Sequence, residues 1–233
     1  MNNKLFYKAH RNNQEKAWSK DGLLTPGPDN DQHSTINIVS KIIFRLPGID
    51  SLLDIGCGPL VLLNSLKPRI ERLYGIDIAE YTCWQKEDKV VTSVADVDEG
   101  VPFDNEYLSC VTMLATLEHV FDPFFVVSEV SRILKPGGYF IFSVPNIAGI
   151  KHRFNLCLGR LPVTSSKGSW AEREWDGAHL HYFTLGSLKS LLTECGSFSI
   201  LSVKGSGRFQ FLKNIRPSLF SQDLIIVAVK KGL

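Results

Sequence analysis

Two periods of apolar residues trade places along most of this chain. Short apolar runs at residues 51–55, 72–77, 89–94, 108–114 and 139–144 have the length of strands. Between them apolar residues recur at helical spacing: Ile36, Val39, Ile42, Ile43 and Leu46, then Leu62, Leu63 and Leu66, then Val126, Val127, Val130, Ile133 and Leu134. The punctuation agrees with this reading. Ser34 and Asp122 stand where N-caps belong, Pro59 and Pro123 suit first helical turns, and Pro47-Gly48, Pro68 and Lys135-Pro136-Gly137-Gly138 close the helices. Thr184 then caps a helix bearing Leu188, Leu191 and Leu192, and residues 198–203 and 224–229 read as two final strands around a Gly-rich, basic loop at 205–217. Alternating strands and helices predict an α/β fold with a mainly parallel sheet and right-handed crossovers.

The rhythm breaks in two places. Residues 1–33 are polar and hold no periodic core element, so they read as an N-terminal cap segment of a single domain spanning 1–233. Residues 145–183 are rich in aromatic, basic and histidine residues. That stretch is longer than an ordinary connection and reads as a substrate-facing cap insertion.

Composition narrows the class. With 44% hydrophobic and 21% charged residues, the chain is neither disordered nor membrane-embedded in character. A net charge of +2 is too small for backbone-dominated nucleic-acid binding, which leaves a small-molecule substrate and no nucleic acid as the expectation. Cys57, Cys83, Cys110, Cys157 and Cys195 lie far apart, without a Cys-x-x-Cys pair, so neither a disulfide framework nor a zinc ribbon is expected. No run approaches the roughly 18 apolar residues of a membrane span, and the polar start lacks a signal-peptide core. The expectation is a soluble, cytoplasmic protein with no membrane attachment.

The chemistry concentrates at residues 51–60, Ser-Leu-Leu-Asp-Ile-Gly-Cys-Gly-Pro-Leu, a buried strand running through a glycine turn into a helix. Loop amides and a helix N-terminus converge at such a junction, which is where α/β sheets bind ligands. A phosphate-gripping loop would need Gly-Lys-Ser/Thr, which is absent, and a dinucleotide turn would need a third glycine where Val61 stands. Asp54-Ile55-Gly56-Cys57-Gly58, Gly75-Ile76-Asp77-Ile78, Ala95-Asp96-Val97, Leu117-Glu118-His119-Val120 with Asp122-Pro123, and Leu134-Lys135-Pro136-Gly137-Gly138 follow one another in order. Together they resemble the class I S-adenosylmethionine-dependent methyltransferase family over roughly residues 50 to 145.

That resemblance implies a Rossmann-like seven-stranded mainly parallel sheet with helices on both faces and an antiparallel last strand. It implies S-adenosylmethionine as cofactor and S-adenosylhomocysteine as product. Gly56, Cys57 and Gly58 would lie against the methionine part, with Asp54 orienting the loop through backbone amides. Asp77 would accept from both ribose hydroxyls, and Asp96 would meet the adenine amino group between Ile78 and Val97. Leu114 and His119 would sit near the methionine and sulfonium. A turn cap for Asp96 and a structural hydrogen bond for His119 stay open as alternatives. Leu60 occupies a place where many members carry glycine, and Pro59, by fixing the local φ, would let the leucine point away.

Residues 143–146, 153–164 and 175–184 are further similar to MetW-type methyltransferase-domain proteins and to bacterial small-molecule methyltransferases. The implied activity is methyl transfer to an oxygen or nitrogen of a small molecule by in-line displacement. The alternative is a MetW-like accessory protein that binds a partner enzyme, with or without the cofactor, and a binding-only sensor is a third reading. Displacement at a sulfonium needs alignment first, and a base only when the acceptor holds its proton tightly. His181, then His179, are the candidate bases, against the reading that both tie the cap to the body. A metal at Asp176, His179 and His181 lacks further ligands and is not expected. Trp170, Trp175, Tyr182 and Phe183 either wall a pocket or pack the insertion. Lys151, His152, Arg153, Arg160 and Lys167 read as a solvated basic face.

Overall fold

The computed structural model describes residues 35–164, 179–195, 198–206 and 210–232. In chain order the elements are α1 (Thr35–Ile43), β1 (Ser51–Ile55), α2 (Val61–Leu66), β2 (Arg72–Asp77), β3 (Val90–Val94), β4 (Leu108–Leu114), α3 (Pro123–Ile133) and β5 (Leu134–Pro145). They continue with α4 (Ile150–Cys157), α5 (Leu185–Glu194), β6 (Phe198–Gly205), α6 (Gln210–Ile215), α7 (Pro217–Phe220) and β7 (Asp223–Lys230). The seven strands form one sheet in the order β3-β2-β1-β4-β5-β7-β6. β7 runs antiparallel to both its neighbours, and the other pairings are parallel.

The core has two layers because β1 is covered on both faces, as its continuous apolar run requires. Leu52 packs with Val39 and Ile43 of α1 and with Leu62, Leu63 and Leu66 of α2. Leu53 and Ile55 point the other way, into a cluster with Val126, Val127 and Val130 of α3 and Leu188 and Leu191 of α5. Burying each such side chain contributes about 1.5–3 kcal/mol, which makes both helical layers tightly committed to the sheet.

Four expectations are corrected. Pro59 is not the first helical residue: α2 begins at Val61, and Leu60 takes the N-cap place with φ 63°. The helix-closing stretch at Lys135-Pro136-Gly137-Gly138 belongs to β5, since Leu134 pairs with Leu108 before a register shift leads to Tyr139 opposite Cys110. The basic loop at 205–217 contains α6, and Pro217 opens the short α7 at its first turn. His152 is buried on α4, whereas Lys151, Arg153 and Arg160 of the same basic run are exposed as expected. Residues 1–33, Ser34, Lys167, Trp170, Trp175 and Asp176 lie outside the described residues.

Candidate functional site

Strand order reverses where β1 lies between β2 and β4, and a cavity of about 520 Å³ opens there, lined from the C-terminal ends of the parallel strands. Open α/β sheets bind ligands at such switch points. Leaving β1, Gly56 takes φ 75°, and its amide and that of Cys57 donate to the Ile76 carbonyl at 2.8 and 3.1 Å. A Cβ at Gly56 would lie 2.8 Å from Thr116 Cγ2 and closer still to its hydroxyl. Glycine is therefore required here by the protein's own packing. Gly58, at φ 47°, would bring a Cβ into ordinary contact with the Tyr81 hydroxyl at 3.9 Å and donates its amide to Asp77 Oδ2 at 2.9 Å. Its carbonyl accepts from the indole Nε1 of Trp84 at 2.9 Å.

Leu60 completes the turn in the left-handed region, a conformation costing an L residue about 1–2 kcal/mol. Its side chain is 1% exposed and packs in the same cluster as Leu62 and Leu63, outside the cavity wall. Burial thus offsets the strain, and the leucine does point away from the ligand space.

The carboxylates have distinct settings. Asp54 is buried and accepts from the Thr112 hydroxyl at 2.6 Å, a strand-to-strand contact in place of the expected backbone amides. Burial, reinforced by nearby Asp77 and opposed by the Thr112 bond, pushes its pKa up to about 7. Asp77 holds the loop from below, accepting from Gly58 and, through Oδ1, from the Ala79 amide at 3.2 Å. Asp96 accepts from the Asp98 amide at 3.0 Å and so caps its turn while also lining the cavity. Asp98 accepts from the Phe121 and Asp122 amides, joining this wall to the loop after β4.

Asp54, Gly56, Cys57, Gly58, Asp77, Ile78, Asp96, Val97, Leu114 and His119 all line this one cavity. His179 and His181 are not part of its described lining. The amides of Leu180 and His181 donate to the Glu118 carbonyl at 2.9 and 3.1 Å, and His181 Nε2 lies 3.2 Å from the Phe121 carbonyl. His179 Nδ1 is 2.7 Å from the Thr164 hydroxyl, with its ring centroid 4.8 Å from that of His119. The two histidines therefore fasten the returning segment to the body, and His179 reaches nearer the cavity than the favoured His181. Phe183 is buried by the same packing, while Tyr182 is exposed.

Two acids carried no role in the sequence reading. Glu118 is 1% exposed, its Oε2 has no hydrogen-bond partner among the described residues, and burial pushes its pKa up to about 8. One ligand atom each from Glu118, His119 and His179 lies within 4.8 Å of the others, a donor set chemically able to hold a metal after closing inward. Asp223 reaches the cavity from β7, and only its distance in sequence from the glycine turn hid it.

This arrangement, with β7 reversed and ligand space over the ends of β1, β2, β4 and β5, defines a Rossmann-like methyltransferase fold. Residues 53–142 match the family model for a methyltransferase domain, which supports the resemblance to the class I S-adenosylmethionine-dependent methyltransferases. The ubiquinone biosynthesis O-methyltransferase of Chromobacterium violaceum is 33% identical over 146 residues, covering 56% of this chain and 58% of that protein. That of Alkalilimnicola ehrlichii is 34% identical over 102 residues, covering 41% of each. The chain thus spans about half the length of the curated relatives it matches. A Haloferax volcanii methyltransferase solved in complex with the Trm112 activator superposes with TM-score 0.66 at 18% identity over 94% of this chain and 98% of that one. A Methanosarcina mazei S-adenosylmethionine-dependent methyltransferase superposes with TM-score 0.61 at 23% identity, covering 83% of this chain and 98% of that one. Among the described residues no helix is long and apolar enough to cross a membrane.

Proposed function

We propose that the chain transfers a methyl group from S-adenosylmethionine to an oxygen or nitrogen of a small molecule by in-line displacement. The observation that carries this reading is the single cavity lined by all ten residues of the cofactor motifs. Its described wall contains Asp54, Asp77, Asp96, Asp98 and Asp223 and no lysine or arginine, a sign of charge suited to a cationic ligand. Bound there, S-adenosylmethionine supplies a methyl group on a sulfonium, which is already a good leaving group.

The chain's own contribution is then alignment. Gly58 adds no side chain to the cavity wall, Asp77 is held by two amides in position to take ribose hydroxyls, and Asp96 with Ile78 and Val97 offers an adenine site. Leu114 and His119 border the reacting end. His119, beside His179, is better placed than His181 to accept a proton from an acceptor hydroxyl.

Calorimetry with S-adenosylmethionine tests the reading. Wild-type protein should bind, and Asp77→Ala should bind about 10- to 100-fold more weakly, the equivalent of a lost charged hydrogen bond. No binding by wild type, or equal binding by the variant, would remove the premise. The accessory-protein reading draws support from the likeness to the methyltransferase solved with its Trm112 activator. Methyl turnover by the isolated chain, set against a stable co-purifying partner without turnover, separates the two.

A further inference from the structure

The five carboxylates of the cavity wall are not equivalent. Asp54, Asp77, Asp96 and Asp98 are engaged by groups of the loops after β1, β2, β3 and β4 or of β4 itself, on the side where the cofactor motifs converge. Asp223 comes from the far side. It opens β7 opposite Pro145, the last residue of β5, where Val144 and Pro145 add apolar wall. The Ser206 hydroxyl donates to its Oδ2 at 2.5 Å, and the Ser206 amide donates to its backbone carbonyl at 3.3 Å. Buried Lys213 of α6 donates in turn to the Ser206 carbonyl. These contacts fix one carboxylate oxygen and the backbone, and no hydrogen bond among the described residues engages Oδ1.

Building on the methyltransferase reading, we propose that Asp223 selects the acceptor: its Oδ1 takes a hydrogen bond from a hydroxyl or ammonium group of the molecule to be methylated. Acceptors that are neutral or cationic at that end are favoured, and carboxylates or phosphates are turned away. The reason is complementarity. A held carboxylate beside Val144 and Pro145 rewards a donor and leaves an acceptor-only group facing like charge; Lys213 and His179 act on Asp223 from behind, and the described wall itself holds no lysine or arginine to receive an anion. Val120, Leu114, Val144 and Pro145 would face the apolar body of the same molecule.

The test uses three probes of closely similar size that share a benzyl group and differ in the polar end: phenethylamine, 2-phenylethanol and phenylacetate. Each is titrated by NMR into full-length protein saturated with S-adenosylhomocysteine. The amine and the alcohol are expected to bind at least about 10-fold more tightly than phenylacetate, consistent with the gain of one charge-assisted hydrogen bond. Asp223→Asn, again saturated with S-adenosylhomocysteine, should shrink that preference to less than about 3-fold. Phenylacetate binding as tightly as the amine, an unchanged ranking in the variant, or no binding by any probe to the loaded wild type would each overturn the proposal. The ranking in wild type needs no variant, so a misfolded Asp223→Asn leaves the proposal falsifiable. Failure of S-adenosylhomocysteine itself to bind overturns the methyltransferase reading, and this proposal with it, and calorimetry recognises that outcome separately.

Discussion

The two walls of the cavity are built by different means. The cofactor wall follows the ends of β1, β2 and β3, and its parts hold one another: Asp77 grips Gly58, Ile76 takes two loop amides, and Asp98 takes the Phe121 and Asp122 amides. The opposite wall gathers His119, Ser143, Pro145 and Asp223 from sites far apart in the chain, with Glu118 and the returning segment behind it. The first wall is fixed by hydrogen bonds and packing among its own strand-end loops. The second is assembled from more scattered segments and retains a buried Glu118 Oε2 with no hydrogen-bond partner among the described residues. Preorganisation on one side and chemical reserve on the other is the division expected when one ligand is common to a family and the other is particular to the protein.

Three perturbations would break or sharpen this contrast. The largest effect should come from Gly56→Ala, which drives a methyl into Thr116 and forces alanine into the left-handed region. A loss of about 3 kcal/mol in urea denaturation is expected, with roughly half recovered by adding Thr116→Ala. Unchanged stability would show that the cofactor wall is not set by internal packing. Leu60→Gly comes next. It relieves left-handed strain but empties a buried site, and the net result should be about 1–2 kcal/mol of destabilisation. A stabilised variant would reverse the order of those two terms.

The smallest effect is in pH dependence. Asp54, with its folded pKa near 7 against about 4 unfolded, binds more protons in the native state across that interval. Stability must therefore fall as pH rises from about 4 to about 7, and stay level with respect to this group above that. Between pH 6.5 and 7.5 the wild type should lose less than about 1 kcal/mol relative to Asp54→Asn, measured by denaturation at each pH. Glu118→Gln should remove a slope of the same sign reaching to about pH 8, because burial raises that carboxyl as well. A wild-type slope unchanged by both variants would show that neither carboxyl is held neutral by burial.

The order of strands, the glycine turn and the cofactor motifs were legible because each is a local signal: a period of apolar residues, a breaker, or an acid just past a strand end. Residue-level reasons were less so. Gly56 was read as room for a ligand, yet its constraint is Thr116, about sixty positions away; Asp54 was read as an amide binder, yet Thr112 holds it. Both partners sit on or just after β4, and only sheet order brings them to β1. Asp223 had no local signal at all, since its meaning comes from an antiparallel pairing with the end of β5. The histidines were credited with chemistry from their side chain and place in the insertion, with fastening the cap as the other reading, and the carbonyls of Glu118 and Phe121 that engage their segment and ring have no local signal.

The tether from Trp84 to the Gly58 carbonyl has an optical consequence. An indole whose N–H is spent on the ligand loop, in a site only 7% exposed, emits according to the polarity of that loop's surroundings. Filling the cavity is expected to alter those surroundings, and a shift of Trp84 emission on adding S-adenosylhomocysteine is the measurement that checks it. The protein thus carries an indole tied to Gly58, the residue whose amide meets the acid and whose carbonyl meets the indole.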